Sequence, residues 1–157
     1  MLQTGEFAPD FDLPALVAGV KRRFRLAEQL ATSKVILAFY PLNWEPLSAE
    51  QMIGYQAERE NLLARQSEVV GISVDSIMNT TAWEREIGPF DFPLCSDFWP
   101  HGEVSKKYGV LREDPPYAGI CQRAIFIVGR DGRIEFSRKY ASTQPAAIGD
   151  LFEQLAS

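Results

Sequence analysis

Histidine and cysteine are scarce in this chain of 157 residues, which has one histidine, His101, and two cysteines, Cys95 and Cys121. A single histidine excludes multi-histidine metal sites, and any triad with a histidine base would have to be built on His101 alone. The two cysteines have neither the spacing of a zinc module nor that of a redox Cys-x-x-Cys, so no metal or cofactor is expected. Basic charge is also in deficit: 16 Lys and Arg stand against 21 Asp and Glu, giving a net charge of -5 and a pI near 4.9. That balance argues against a nucleic-acid surface, which needs clustered Lys and Arg. Long apolar runs are missing too. The longest, such as residues 35–40, have a strand's length and fall far short of the ~20 residues of a membrane span. The first six residues lack the basic and then apolar regions of a secretory signal. A cytoplasmic protein with no membrane partner is the expectation.

What is present suits one α/β domain. At 46% apolar and 24% charged residues, the chain is long enough to enclose a real core. Residues 11–16 and 22–26, joined across Ala18-Gly19, have the pattern of an N-terminal hairpin, with a short helix following to Leu30. Residues 34–40 and 68–74 are runs suited to strands covered on both faces. Helical patterning begins at Ser48, with Met52, Tyr55, Leu62 and Leu63 on one face, and Ser48 and Gln51 have capping-box spacing. A helix is predicted over 76–87, a short strand over 92–95 and a short helix over 102–108. Residues 123–128 and 133–137 flank Asp131-Gly132, a strong hairpin signal. A last helix is predicted over 145–156. Strands alternating with helices and ending in a hairpin plus a helix give a mixed central sheet flanked by helices.

Six ordered segments then acquire meaning together. They are Gly5-x-x-Ala8-Pro9-Asp10-Phe11; Phe39-Tyr40-Pro41-Leu42-Asn43-Trp44; Gly71-Ile72-Ser73-Val74-Asp75-Ser76 with Trp83; Pro93-Leu94-Cys95-Ser96-Asp97; Tyr108-Gly109-Val110; and Arg123-Ala124-Ile125-Phe126-Ile127-Val128 before Asp131-Gly132. Over nearly the whole chain this series resembles the peroxiredoxins, the alkyl hydroperoxide reductase and thiol-specific antioxidant (AhpC/TSA) family. The resemblance implies a thioredoxin-like fold, a homodimer, and reduction of hydrogen peroxide and alkyl hydroperoxides at the expense of a thiol reductant. It implies no cofactor.

The family pattern after the first long strand is Pro-x-x-x-Thr/Ser-x-x-Cys, with an Arg arriving from a later strand. Pro41 and Arg123 match it. Glu45 stands at the Thr/Ser position and Ser48 at that of the peroxidatic cysteine. The family's chemistry needs a thiolate whose pKa is lowered by a helix N-terminus and an Arg, and a sulfur that can hold the transferred oxygen as sulfenic acid. A serine hydroxyl is far harder to ionise than a thiol of pKa ~8.5 and has no such oxidation ladder. A carboxylate at position 45 would in addition repel a thiolate or a peroxide anion and compete for Arg123. The chain is therefore expected to be inactive by the ordinary mechanism.

Three readings stay open. The first is a degenerate family member with a binding or structural role, favoured because nucleophile and substrate-orienting hydroxyl are both replaced. In the second, the thiol has moved to Cys121. If the strand already begins there, Cys121 shares a face with Arg123; otherwise it is a small buried thiol. The third is a peroxidase disabled by an engineered Cys-to-Ser change at position 48. Ser48 itself is expected to serve as the N-cap of its helix, and Glu45 to form an ion pair with Arg123 across the former peroxide site. Cys95 reads as core and His101 as a surface loop residue. Trp44, Trp83 and Trp99 read as packing residues, with Trp44 also placed to wall the pocket or an interface.

Overall fold

Alternate residues of the two central strands go to opposite cores. In β3 (Lys34–Phe39), Val35, Leu37 and Phe39 join one apolar cluster and Ile36 and Ala38 the other. In β6 (Arg123–Val128), Ala124, Phe126 and Val128 face the first cluster and Ile125 and Ile127 the second. Such period-2 division, with both faces covered, explains why these segments are apolar almost throughout. The computed structural model describes residues 1–155.

The remaining strands are β1 (Asp12–Val17), β2 (Val20–Arg25), β4 (Ser67–Ser73), β5 (Leu94–Ser96) and β7 (Ile134–Tyr140). They form one seven-stranded sheet in the order β2-β1-β5-β4-β3-β6-β7. β3, β4 and β5 run parallel, and the pairs β1/β2, β1/β5, β3/β6 and β6/β7 are antiparallel. The helices are α1 (Leu26–Leu30), α2 (Pro46–Ala64), α3 (Ile77–Ile87), α4 (Glu103–Lys107) and α5 (Ile148–Leu155). α1 and α4 contribute Leu26, Leu30 and Val104 to the first core, whereas Met52, Tyr55 and Leu62 of α2, Trp83 of α3 and Leu151 of α5 fill the second. This is the thioredoxin-like arrangement. Among the described residues no helix is long and apolar enough to cross a membrane.

Gly71 of β4 sets how closely α2 seats on the sheet. A Cβ there would lie 2.8 Å from Leu94 Cδ2 and 3.1 Å from Met52 Sδ, so a larger residue would push α2, and the site at its start, off the sheet.

Several expectations need correction. α2 begins at Pro46, not at Ser48. Leu63 is exposed, because Met52, Tyr55, Arg59 and Leu62 lie on one helical row and the next residue turns about 100° toward solvent. Of the three tryptophans only Trp83 is core. Trp44 and Trp99 are 52% and 81% exposed, since both stand in loops beyond strand ends. α5 starts later than Pro145, and the predicted end at Ala156 lies outside the described residues. Cys95 is fully buried in the first core. His101 is exposed in a turn, its Nε2 donating to the Gly119 carbonyl at 2.6 Å.

Candidate functional site

The loop from Pro41 to Glu45 is pinned before α2 begins. The buried Asn43 donates from its backbone N–H to Asp75 Oδ2 (2.8 Å) and from its amide to Asn79 Oδ1 and Thr80 Oγ1 (3.0 Å each), and accepts from the Tyr40 hydroxyl (2.8 Å). Trp44 follows with φ at +72°, a left-handed conformation that costs a bulky residue energy, and its indole N–H also donates to Asn79 Oδ1. Held this way, the loop delivers Glu45 as the residue that starts the helix.

Glu45, and not Ser48, is the N-cap. Its carboxylate accepts from the backbone N–H groups of Leu47 (3.0 Å) and Ser48 (2.8 Å), two of the donors that a helix start leaves free. Proline at 46 occupies the first helical position, where its missing N–H costs nothing. Ser48 sits inside the first turn with no exposed surface, and its hydroxyl donates to Glu45 Oε2 at 2.6 Å. The capping-box partner expected from spacing does not form. Gln51 Nε2 donates instead to the Tyr55 hydroxyl (2.7 Å).

Arg123 enters from the first residue of β6, on the face that carries Ile125 and Ile127 toward α2. Its side chain is fully buried. Nη2 donates to Glu45 Oε2 at 2.8 Å, while Nη1 donates to Gln51 Oε1 at 2.7 Å and to Ser48 Oγ at 3.2 Å. Its Nε has no partner among the described residues. One buried cation thus meets one carboxylate, one amide and one hydroxyl, which leaves the cluster neutral in sum. Burial alone would raise the Glu45 pKa. The bonds from Ser48, Arg123 and the two backbone N–H groups outweigh it and hold the carboxyl below its ordinary value.

Pro41, Arg123 and Cys121 border a cleft of about 650 Å³ that is also lined by Arg112, Lys139 and Tyr140. Although Cys121 lines this cleft with Arg123, its thiol packs on the other side of the sheet. β6 begins two residues after it, and the thiol packs in the core with Ala124 and Phe126, the opposite set from Ile125 and Ile127. The conditional expectation of a shared face therefore fails: outside the strand the two-residue period no longer applies. Ser105 Oγ lies 3.0 Å from Cys121 Sγ and donates to Asp97 Oδ2 at 2.7 Å, so its lone pair is left to accept from the thiol. Burial, reinforced by the Asp97 and Asp75 carboxylates, pushes the Cys121 thiol up to about 12. Burial also pushes Cys95 far up. Both thiols should react with a thiol-specific disulfide reagent in the native protein at least 10²-fold more slowly than free cysteine, and rapidly after unfolding. Fast native labelling of Cys121, lost in Cys121→Ser, would contradict this.

Gln51, Tyr55 and Asn43 are the participants that sequence reasoning did not assign to the site. Ser48, Gln51 and Tyr55 do carry a signal, since i, i+3 and i+7 spacing lines polar groups along the helix face that looks at β6. For Glu45 as cap, the signal was the following Pro46.

The AhpC/TSA family profile matches residues 4–137. The chain belongs to this family, the peroxiredoxins. It is 35% identical over 153 residues to alkyl hydroperoxide reductase E of Mycobacterium tuberculosis, covering 96% of this chain and 92% of that protein. It is 33% identical over 136 residues to mouse (Mus musculus) peroxiredoxin-2, covering 83% and 66% respectively. Among solved structures, the reduced 2-Cys peroxiredoxin of Plasmodium vivax superposes with a TM-score of 0.91 at 22% identity, over 99% of this chain and 81% of that one. AhpC of Enterococcus faecalis gives 0.88 at 25%, over 99% and 92%.

Proposed function

We propose that this peroxiredoxin has lost thiol-peroxidase chemistry at position 48 and uses the inherited site as an internal anchor, serving a binding or structural role as a single-domain homodimer. One observation carries the reading: the Glu45 carboxylate lies 2.8 Å from Arg123 Nη2 and 2.6 Å from Ser48 Oγ. It thereby occupies the guanidinium that the family pattern aims at a thiolate and a peroxide. The chemistry that remains is poor in every part. Ser48 supplies a hydroxyl bonded to an anion, Arg123 spends three N–H donors on Glu45, Gln51 and Ser48, and both thiols are buried and protonated.

The test is hydroperoxide consumption with a thiol reductant. The chain should consume hydrogen peroxide with a second-order rate no greater than that of free cysteine. A rate well above that control would overturn the proposal, and its disappearance in Cys121→Ser would install the displaced-thiol reading. A cysteine codon at position 48 of the natural gene would instead make Ser48 an engineered block of an active peroxidase.

A further inference from the structure

β2 is an edge strand whose chemistry contrasts with the rest of the chain. Within the six residues Val20–Arg25 it carries Lys21, Arg22, Arg23 and Arg25 and no acid, in a protein of net charge -5. Among the described residues it pairs with β1 on one side and with no strand on the other, so its outer backbone N–H and C=O groups are available for pairing. All four basic side chains are exposed. Arg23 and Arg25 share Asp12, at 2.7 and 3.1 Å, and Glu28 stands 3.8 Å from Arg25. Lys21 and Arg22 have no ion pair among the described residues. The opposite edge differs: in β7 Glu135 and Arg138 are matched by Lys34 and Asp150.

We propose that the outer edge of β2 receives an extended acidic segment of a partner protein as an additional strand. Lys21, Arg23 and Arg25 alternate onto one face of the strand, so carboxylates at every second position of an incoming strand would meet them in register. A groove of about 320 Å³ lined by Val17, Arg23, Phe24, Arg25, Glu28 and Pro93 adjoins β2, and with Glu28 in its wall it offers room for an uncharged side chain of the incoming strand. A second copy is a poor occupant. Two β2 edges would set rows of like charge against each other, which is how basic edge strands prevent self-pairing. Nucleic acid and anionic membranes are poor occupants as well, because the basic stretch is six residues long and belongs to a molecule of net charge -5, too small a patch for an extended anionic surface. A segment of strand length feels mainly the local positive field.

The probe is a fluorescein-labelled peptide, Glu-Thr-Glu-Val-Glu-Thr-Glu, titrated with the full chain and followed by anisotropy, with hydrogen exchange measured on the complex. Saturable binding is expected that weakens with salt and falls at least about tenfold in Lys21→Glu/Arg22→Glu, while Lys21→Arg retains it; amides of residues 20–25 should gain protection. Circular dichroism and urea midpoints confirm that the exposed variants are folded. The proposal is overturned by absence of saturable binding, by binding indifferent to the charge reversal, or by binding without protection of those amides. Tighter binding of a single-stranded DNA 20-mer or of phosphatidylserine vesicles would also overturn it.

Discussion

Glu45→Ala should lower the stability of the protein by about 3 kcal/mol, the low end of the range for removing one partner of a buried ion pair. Two costs combine. Arg123, itself fully buried, keeps its bonds to Gln51 and Ser48 but loses its one ion-pair partner among the described residues, and α2 loses a cap worth ~1 kcal/mol. The companion variant Glu45→Ala/Arg123→Met should recover part of the loss, because an apolar side chain of similar length leaves no charge to desolvate. A coupling of about 1–3 kcal/mol between the two positions is expected from urea midpoints. Independent, additive losses would show that the pair contributes nothing as a pair.

The same contact fixes a pH dependence. The Glu45 carboxyl is held below its ordinary value of 4.5 in the folded protein. A depressed carboxyl stabilises the fold at pH above its unfolded value, and that contribution is lost as pH falls through the folded value. The stability difference between the parent chain and Glu45→Gln should therefore be fullest near neutrality and shrink on acidification below 4.5. An unchanged difference in acid would assign the stabilisation to capping geometry and not to charge.

The architecture was legible in the sequence because it rests on signals internal to each segment. Nearly continuous apolar runs over residues 34–40 and 123–128, the Asp131-Gly132 turn and the Ala18-Gly19 hairpin each declare an element locally. The Glu45–Arg123 contact was legible for another reason: a cation expected at a pocket that has lost its anionic partner requires a replacement, and only Glu45 was in reach. The helix start was misread because Ser48 and Gln51 satisfy a local capping pattern, yet a distant guanidinium and Tyr55 claim both side chains. Tertiary partners outcompeted a local motif. The fate of Cys121 turned on where β6 begins: two residues ahead of the strand, it still lines the cleft, but its thiol packs in the core opposite the Arg123 side chain. Exposure of Trp44 and Trp99 was likewise invisible to composition, since an aromatic beyond a strand end carries no periodicity to place it.

Introducing a sulfur at position 48 should not by itself produce a fast peroxidase. In Ser48→Cys the new thiol would replace a hydroxyl that already donates to Glu45 Oε2 at 2.6 Å. A carboxylate in that place accepts a bond from the neutral S–H and repels the thiolate, and both effects raise the thiol pKa. It also keeps Nη2 of Arg123 engaged, so one of the donors suited to the oxyanion of the transition state is spent on a fixed anion. Each unit of pKa elevation above the working pH removes about tenfold of the reactive thiolate. Ser48→Cys should consume hydrogen peroxide measurably faster than the parent chain, yet Ser48→Cys/Glu45→Thr should exceed the single variant by at least about tenfold. Two changes act together in the double variant: the repelling charge is gone, and a hydroxyl stands where the family pattern has one. Arg123, now without a fixed carboxylate, can pair with the thiolate, and a pH titration of the ultraviolet thiolate absorbance should show a lower midpoint in the double variant than in the single. Gln51 favours this outcome, since its amide holds Arg123 Nη1 at 2.7 Å without adding negative charge beside the new sulfur. Equal rates and equal midpoints for the two variants would mean that Glu45 swings away once cysteine is present, and that the carboxylate is no obstacle to the chemistry.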